Sequence, residues 1–225
     1  MNAVDESLFA SAASPMAPPD LAAAQPKFVM MYHGTLTHIY GLDIAIEAFG
    51  KVQAELPGAE FWILGNGPEK GSLERLSRKL GLEGKVKFVG NVLPQEVPQW
   101  LKRCDVGVLA TRRDIFLDFS FSNKLSEYII MDKGIISSRL KAIRHYFSEE
   151  AFAYFEPNAS LDLARQMVRL YQDPGLRLQL AANAKQEYAP IRWDVMKQRY
   201  LGLIGMLGEG RLPGLIHNVC EEVSR

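Results

Sequence analysis

The segment from Asp118 to Ser138 holds the residues whose types and spacing are best suited to chemistry. Ser120, Ser122 and Asn123 are typical helix N-cap residues, and apolar residues at helical spacing follow them. The free N–H groups at a helix N-terminus form a ready binding site for phosphate. Glu127 would lie one turn further on, where its carboxylate could accept hydrogen bonds from sugar hydroxyls. The alternative is that Glu127 is a solvated acid whose charge only favours the helix dipole.

The alternation of short apolar segments with amphipathic ones indicates how the rest of the chain positions this segment. Strands are predicted at 28–32, 59–64, 86–89, 106–110, 135–136 and 152–155. Longer segments, among them 95–103 and 193–207, carry apolar residues at helical spacing. This order predicts an α/β fold, a three-layer Rossmann-like domain with a parallel sheet of about six strands and helices on both faces. In such a sheet, ligands bind outside the carboxyl ends of the strands.

Three motifs give the sequence a family likeness. They are Gly65-Asn66-Gly67-Pro68-Glu69, the pair Val89-Gly90, and the run Asn-Lys-Leu-Ser-Glu-Tyr from Asn123 to Tyr128. In this order and spacing they resemble the donor-binding, C-terminal domain of the family 4 retaining glycosyltransferases, which have the two-domain GT-B fold. The resemblance covers roughly residues 28–207. It implies an enzyme of polysaccharide biosynthesis that transfers a sugar from a nucleotide-sugar to an acceptor, with retention at the anomeric carbon.

The resemblance also assigns roles within the central segment. Glu127 matches the second of the family's two acids, which binds the ribose of the nucleotide. The first acid falls on Phe119 and leaves Asp118 as the only candidate substitute. Asp118 and Glu127 are therefore the candidate catalytic residues, and Asp118 or the backbone near Phe119 would hold the donor sugar. The side chain of Lys124 could add positive charge, and the backbone amides that would bind the diphosphate belong to Ser122, Asn123, Lys124 and Leu125.

Three further loops supply candidates for donor binding. The loop after the first strand holds Gly34 and Thr35, whose backbone amides could approach a phosphate. However, Thr35 and Tyr40 stand where the family has an arginine and a lysine. The loop after the third strand would lie against the nucleotide base. The loop after the fourth strand carries cations that could replace the missing charge, or that could simply be exposed. The candidates on these last two loops are Gly90, Asn91, Arg112 and Arg113.

Several other classes of function are excluded. The turn from Gly65 to Gly67 is not a dinucleotide motif, because position 70 is Lys70 and the turn follows the second strand. The 26 basic and 26 acidic residues give no net charge, so nothing indicates a nucleic-acid partner. The four histidines show no metal-ligand spacing, and two cysteines make no disulfide framework. We therefore expect no metal, no cofactor, reduced thiols and a cytoplasmic protein.

The predicted domain at 28–207 lies between an arm rich in Ala and Pro (1–27) and a C-terminal tail (208–225). In the arm, Asn2-Ala3-Val4-Asp5 followed by Phe9 either resembles the end of the family's N-terminal domain or is a chance match. The first interpretation requires an acceptor-binding half from a missing N-terminal domain or a partner chain. No apolar run could span a membrane, so membrane contact is expected only through the acceptor. The alternative function is a degenerate, non-catalytic glycosyltransferase-like binding module.

Overall fold

The computed structural model describes residues 28–208 together with Val4, Glu6 and Phe9. Within these residues, six strands and eight α-helices alternate, which confirms the predicted α/β fold. The strands are β1 (Phe28–His33), β2 (Ala59–Leu64), β3 (Val86–Gly90), β4 (Val106–Leu109), β5 (Gly134–Ser138) and β6 (Ala153–Phe155). The helices are α1 (Leu42–Val52), α2 (Lys70–Lys79), α3 (Val97–Arg103), α4 (Asn123–Ile130), α5 (Lys141–Tyr146), α6 (Ser160–Gln172), α7 (Pro174–Tyr188) and α8 (Trp193–Gly208).

The sheet is parallel throughout, with the strand order β3-β2-β1-β4-β5-β6. In the register of the central strands, Met30 of β1 lies beside Phe61 of β2 on one side and Val106 of β4 on the other. The chain therefore builds outward from β1 to β3 and then returns to start the other half at β4. Ligands of such sheets bind at the carboxyl ends of the strands where this reversal occurs. Here that point lies between β1 and β4.

Helices cover both faces of the sheet, and the burial of the strands follows from this. Every residue of β1, β4 and β5 is buried, as expected for parallel strands that have no solvent-facing side. α1 packs against α2 and α6, and α4 packs against α7. The apolar residues of α1 recur at helical spacing and are buried, with Leu42, Ala45, Ile46, Phe49 and Val52 all in the core.

Two loops at the carboxyl edge pack backbone against backbone, and this explains the glycine-rich turn after β2. The Gly34 N–H donates to the Leu64 carbonyl at 3.0 Å, and the Leu36 N–H donates to the Asn66 carbonyl at 2.9 Å. A Cβ atom at Gly65 would collide with the carbonyl of Gly34, and one at Gly67 would collide with that of Leu36. These glycines are therefore needed for close packing between loops, without any dinucleotide.

The predicted elements differ from the observed ones mainly at their ends. The helix predicted from Gln95 begins at Val97, because Glu96 belongs to a preceding turn and its carboxylate accepts from the Leu93 N–H at 2.9 Å. The helix α7 begins at Pro174, whose fixed φ suits the first helical position. The predicted tail and most of the predicted arm lie outside the described residues; of the arm, Val4 is buried.

Contacts divide the chain into two compact units, one ending at Tyr188 and the other beginning at Ala189. In the described part of the second unit, a short 3₁₀ turn (Ala189–Ile191) precedes α8. The helix is present as predicted, but none of its side chains is buried, and its apolar residues Tyr200, Leu203, Ile204 and Leu207 are exposed. Among the helices that the structure describes, none is both long and apolar enough to cross a membrane.

Candidate functional site

A cavity of about 360 Å³ opens at the carboxyl edge of the sheet, beside the point where the strand order reverses. Its walls come from the ends of β1 and β2, the loop after β3, the start of α3 and one side chain of α4. Four of the predicted site residues, Gly34, Thr35, Asn91 and Glu127, lie in these walls. The other lining residues are His33, Leu64, Gly65, Asn66, Val92, Pro94 and Val97.

Gly90 and Thr35 shape this cavity through their backbones. Gly90 ends β3 with a positive φ of 87°, and its carbonyl accepts from the Gly65 N–H at 2.6 Å. The carbonyl of Thr35 accepts from the buried hydroxyl of Tyr32 at 2.8 Å. The bond from Gly65 to Gly90 joins the loop after β2 to the end of β3, and the bond from Leu36 to Asn66 joins the loops after β1 and β2.

The N-terminus of α4 is uncapped. Ser122 occupies the N-cap position with extended backbone, but its side chain makes no capping hydrogen bond. The Leu125 N–H donates to the Ser122 carbonyl at 3.1 Å, and the Oδ1 atom of Asn123 is buried without a hydrogen-bond partner among the residues that the structure describes. The side chain of Leu125 belongs to the core. Among the described residues no side chain caps this helix, so the amides of Asn123 and Lys124 are available to an anion, with the helix dipole in its favour.

Glu127 faces His33 inside the cavity. Its Oε2 atom lies 3.2 Å from His33 Nε2, and the side chain of Glu127 is 21% exposed. Burial raises the pKa of Glu127 to about 7, although the nearby Lys124 acts in the opposite direction. Burial, aided by Lys124, lowers the pKa of His33 to about 3. His33 is therefore neutral, and its Nε2 atom is not aligned for a hydrogen bond with any described residue. The contact is a polar one between a neutral imidazole and a partly ionised carboxylate.

Lys124 extends from α4 across the loop after β1. Its Nζ atom lies 4.2 Å from the ring centroid of Tyr40 and 5.6 Å from that of Tyr32. Gly34 leaves the space that this side chain occupies: its φ is +128°, and a Cβ atom there would collide with Lys124 Cε. Burial lowers the pKa of Lys124. Within the described part of the chain, no carboxylate lies within ion-pair distance of its ammonium.

The two arginines predicted to supply phosphate charge already bind protein groups. Arg112 forms an ion pair with Asp43, and it also donates to the His38 carbonyl and to Asn158 Oδ1, both at 3.1 Å. Arg113 donates to the carbonyl of Arg139 at 3.1 Å. A role for either arginine in phosphate binding stays a prediction, and for Arg112 it would require that these contacts be given up.

Asp118 and Phe119 lie in a 3₁₀ turn (Leu117–Phe119) after β4, outside the cavity that holds Glu127. Asp118 is buried, and its Oδ1 atom accepts from the Lys141 N–H at the start of α5, at 3.4 Å. Phe119 is 80% exposed. It borders a second cavity, of about 850 Å³, that is lined by Asp114, Ile115, Phe116, Phe119, Ser120, Phe121, Ala142 and Tyr146. The two predicted acids therefore line no common cavity in the described structure.

Two features of the site were not predicted from the sequence. One is His33, whose position as the last residue of β1, directly before Gly34, was an available signal. The other is the anchoring of α4 through Tyr128, whose buried hydroxyl donates to the Met31 carbonyl at 2.8 Å. The ring of Tyr128 fills the space above Gly107, where a Cβ atom would approach it to 2.7 Å. This contact fixes α4, and with it Lys124 and Glu127, against β1 and β4.

The family of the chain follows from its residues 27–173, which match the model of the glycosyl transferases group 1. The chain belongs to this family. Two curated relatives are the lipopolysaccharide core biosynthesis glycosyltransferases LpsE and LpsD of Rhizobium meliloti (strain 1021). LpsE is 26% identical over 154 residues, which cover 68% of this chain and 42% of LpsE. LpsD is 27% identical over 175 residues, 77% of this chain and 48% of LpsD. The chain thus spans less than half the length of these relatives.

Solved structures show the same fold. The Anabaena protein Alr3699/HepE, solved in complex with UDP, matches with a TM-score of 0.72 and 20% identity over 91% of this chain and 56% of that one. Sucrose-phosphate synthase of Thermosynechococcus elongatus matches with a TM-score of 0.75 and 18% identity over 92% of this chain and 52% of that one. The predicted Rossmann-like, GT-B type fold and the glycosyltransferase family are confirmed. The narrower assignment to the retaining enzymes of family 4 stays a prediction.

Proposed function

We propose that this domain binds the nucleotide-sugar donor of a retaining, family 4 type glycosyltransferase and forms the donor half of its active site. The observation that carries the proposal is the pairing of two features on α4: its uncapped N-terminus and, one turn later, a carboxylate that lines the cavity at the carboxyl edge of the sheet. A nucleoside diphosphate needs both features, because its phosphates bind backbone amides and its ribose hydroxyls donate to a carboxylate.

Each part of the donor has a matching part of the site. The base would enter the cavity of about 360 Å³ and lie against Gly90 and Asn91. The ribose would donate to Glu127, whose desolvated carboxylate lacks an aligned donor from His33. The diphosphate would bind the amide of Thr35, together with those of Ser122, Asn123 and Lys124. The amides of Gly34 and Leu125, which the sequence also suggested, already donate to the carbonyls of Leu64 and Ser122, so a role for either would require that this bond be given up.

The chemistry that this arrangement supports is departure of the diphosphate from the anomeric carbon. Fixed N–H dipoles stabilise the negative charge that develops on the leaving oxygen, and they need no reorganisation during the reaction. Asp118, or the backbone near Phe119, would hold the donor sugar. For Asp118 this role competes with its contact to the Lys141 N–H. Asp118→Asn separates the alternatives: a structural role lowers the melting temperature, whereas a catalytic role lowers turnover in the complete enzyme at unchanged stability.

The acceptor-binding half would come from another domain or chain, since the chain spans 42% and 48% of the two relatives. Their names point to a saccharide acceptor in lipopolysaccharide or polysaccharide synthesis, and we extend that class of acceptor to this chain. A cytoplasmic reaction, with membrane contact only through the acceptor, belongs to the same proposal.

The proposal is tested by titrating the full chain with UDP, GDP and ADP while backbone amide resonances are recorded. We expect one of these diphosphates to shift the amides of Gly34, Asn91 and Lys124. Shifts confined to the opposite edge of the sheet, for example at Ala59 and Lys85, would overturn the placement.

The second candidate function is the degenerate binding module. It is favoured by Phe119, Thr35 and Tyr40, which stand where the family's acid, arginine and lysine are expected. Failure of all three diphosphates to bind the folded chain at millimolar concentration would select this alternative.

A further inference from the structure

The half-buried side chain of Lys124 has no carboxylate within ion-pair distance of its ammonium among the described residues. Its neighbours on the ammonium side are the rings of Tyr40 and Tyr32, and the acid on its helix, Glu127, contacts the neutral His33. Taking an ammonium out of water is unfavourable, and contact with a ring face offsets only part of this penalty. A buried charge in this state is usually completed by an anion.

The surroundings of Lys124 define which anion fits. Lys124 is the second residue of α4, so its side chain starts from the same helix terminus as the uncapped amides. Its stem passes over Gly34, a residue of the loop that borders the cavity. An anion that binds here would be contacted by amides from two loops and by one cation, which matches the two linked phosphates of a nucleoside diphosphate.

Tyr40 explains how the cation is held. A long lysine side chain loses considerable rotamer freedom when it is fixed, so a defined position requires contacts along it. Tyr40 supplies a ring face 4.2 Å from Nζ, and Gly34 supplies the passage for the stem. Tyr40 thus takes the place where the resemblance implies a lysine, and it positions a lysine that comes from a different element.

We infer that Lys124 is the diphosphate-binding cation of this site and that Tyr40 is its positioning residue, so that α4 supplies the charge missing from the loop after β1. This inference rests on the proposed function, since it concerns the same nucleotide. It goes further by assigning the charge to one side chain and by coupling it to a tyrosine 84 residues away in sequence.

The test is a set of calorimetric titrations of the full chain with the nucleoside diphosphate that binds the wild type, and with the corresponding nucleoside. Lys124→Met should lower the affinity for the diphosphate by about 10-fold to 150-fold, the range for a hydrogen bond to a charged group. Affinity for the nucleoside should not change. Tyr40→Leu should weaken diphosphate binding in the same direction, and Tyr40→Phe, which keeps the ring, should not. Lys51→Met, which removes an exposed lysine of α1, is the matched control.

Two further variants separate a positioning role from a merely structural one. The double variant Lys124→Met/Tyr40→Lys returns a lysine to the loop and should restore part of the lost affinity. Lys124→Gln removes the charge but changes the polarity of the side chain less than Lys124→Met does. Without ligand, the melting temperature of this variant should equal or exceed that of the wild type, because a desolvated cation has been removed. A marked loss of stability in both Lys124 variants would overturn the inference in favour of a structural lysine.

The remaining outcomes are also distinguishable. If the wild type binds no nucleoside diphosphate, the proposed function itself fails. If the wild type binds and Lys124→Met binds equally well, the inference is wrong while the proposed function stands. If Lys124→Met loses affinity but Tyr40→Leu does not, the positioning role of Tyr40 is wrong.

Discussion

Replacement of Glu127 by glutamine separates a nucleotide-binding carboxylate from one that only favours the helix dipole. The carboxylate lies in the cavity at the strand reversal, 3.2 Å from His33, and is 21% exposed. A hydrogen bond from a ribose hydroxyl to such a charged group contributes about 1.5 to 3 kcal/mol, which is about 10-fold to 150-fold in affinity. Glu127→Gln keeps the shape of the side chain and should weaken nucleoside diphosphate binding within this range.

The same variant makes a second, opposite prediction for stability. Burial raises the pKa of Glu127 from 4.5 to about 7, so the ionised form is disfavoured in the folded protein. At pH 8 the neutral glutamine avoids this penalty, and we expect the free energy of unfolding to rise by up to about 3 kcal/mol, since each unit of pKa shift corresponds to about 1.4 kcal/mol. If Glu127 only favoured the helix dipole, the free energy of unfolding would fall by about 0.3 to 1 kcal/mol and the affinity would not change.

Calorimetry with the nucleotide and urea unfolding at pH 8 measure the two quantities on one pair of proteins. Glu74→Gln, which alters a partly exposed acid on α2, is the matched control and should change the affinity by less than about twofold. Unchanged affinity together with a lower free energy of unfolding in Glu127→Gln would refute the reasoning.

Three further predictions follow from the same contacts. In titrations at pH 6, 7 and 8, the ratio of wild-type to Glu127→Gln affinity should rise with pH, because the carboxylate of Glu127 ionises around pH 7 while the titration of the ligand's phosphates is common to both proteins and cancels. A ratio that is level with pH would contradict this. Gly107→Ala should lower the free energy of unfolding by about 1 to 3 kcal/mol in urea titrations, because its Cβ would lie 2.7 Å from the ring of Tyr128; an unchanged midpoint would show that α4 shifts freely. Tyr128→Phe should lower the free energy of unfolding by about 0.5 to 1.5 kcal/mol, because the hydrogen bond to the Met31 carbonyl is lost. An unchanged free energy would mean that the hydroxyl gains no more from this bond than from water in the unfolded chain.

The pH dependence of stability has two opposing parts, which the Glu127→Gln variant separates. The folded protein binds more protons than the unfolded chain at Glu127 between pH 4.5 and 7, so this residue lowers the free energy of unfolding as the pH rises. At His33 the folded protein binds fewer protons between pH 3 and 6.5, so this residue raises it. Between pH 4.5 and 6.5, where the two ranges overlap, the free energy of unfolding of the wild type should hardly change with pH. That of Glu127→Gln should rise by up to about 1.4 kcal/mol per pH unit. Equal slopes in the two proteins, measured by urea unfolding, would show that the titration of Glu127 is not coupled to folding.

The fold was predictable from the sequence because its signals are local. Continuous apolar runs mark the strands, and the spacing of Leu42, Ala45, Ile46 and Phe49 marks α1 and its buried face. Motif order placed Glu127, Asn91 and Gly34 correctly at one edge of the sheet, where a single cavity contains them. The strand order itself follows from contacts between elements, and no short segment encodes it.

The contacts within the site were not predictable, because each depends on residues that are distant in sequence. Lys124 could equally face solvent when it is considered as one helical residue, and only the tertiary structure places its ammonium over the ring of Tyr40. Arg112 had the position expected of a phosphate-binding cation, but the carboxylate of Asp43 in α1 pairs with it. Asp118 is similar, since its partner, the Lys141 N–H, belongs to another helix.

The departures from the family pattern at positions 35 and 40 have two possible meanings, and the structure argues for one of them. A site that has lost its function has no reason to retain groups that lower stability, because random substitution would replace them with groups that fit the core. This site retains two such groups, a desolvated ammonium at Lys124 and a desolvated carboxylate at Glu127, both at the uncapped terminus of α4. Tyr40 differs from the family pattern, and yet its ring lies 4.2 Å from the ammonium of the half-buried Lys124. A substitution matched by a second residue in this way is what a rearranged anion site requires, and it is our reason for proposing donor binding over the degenerate module.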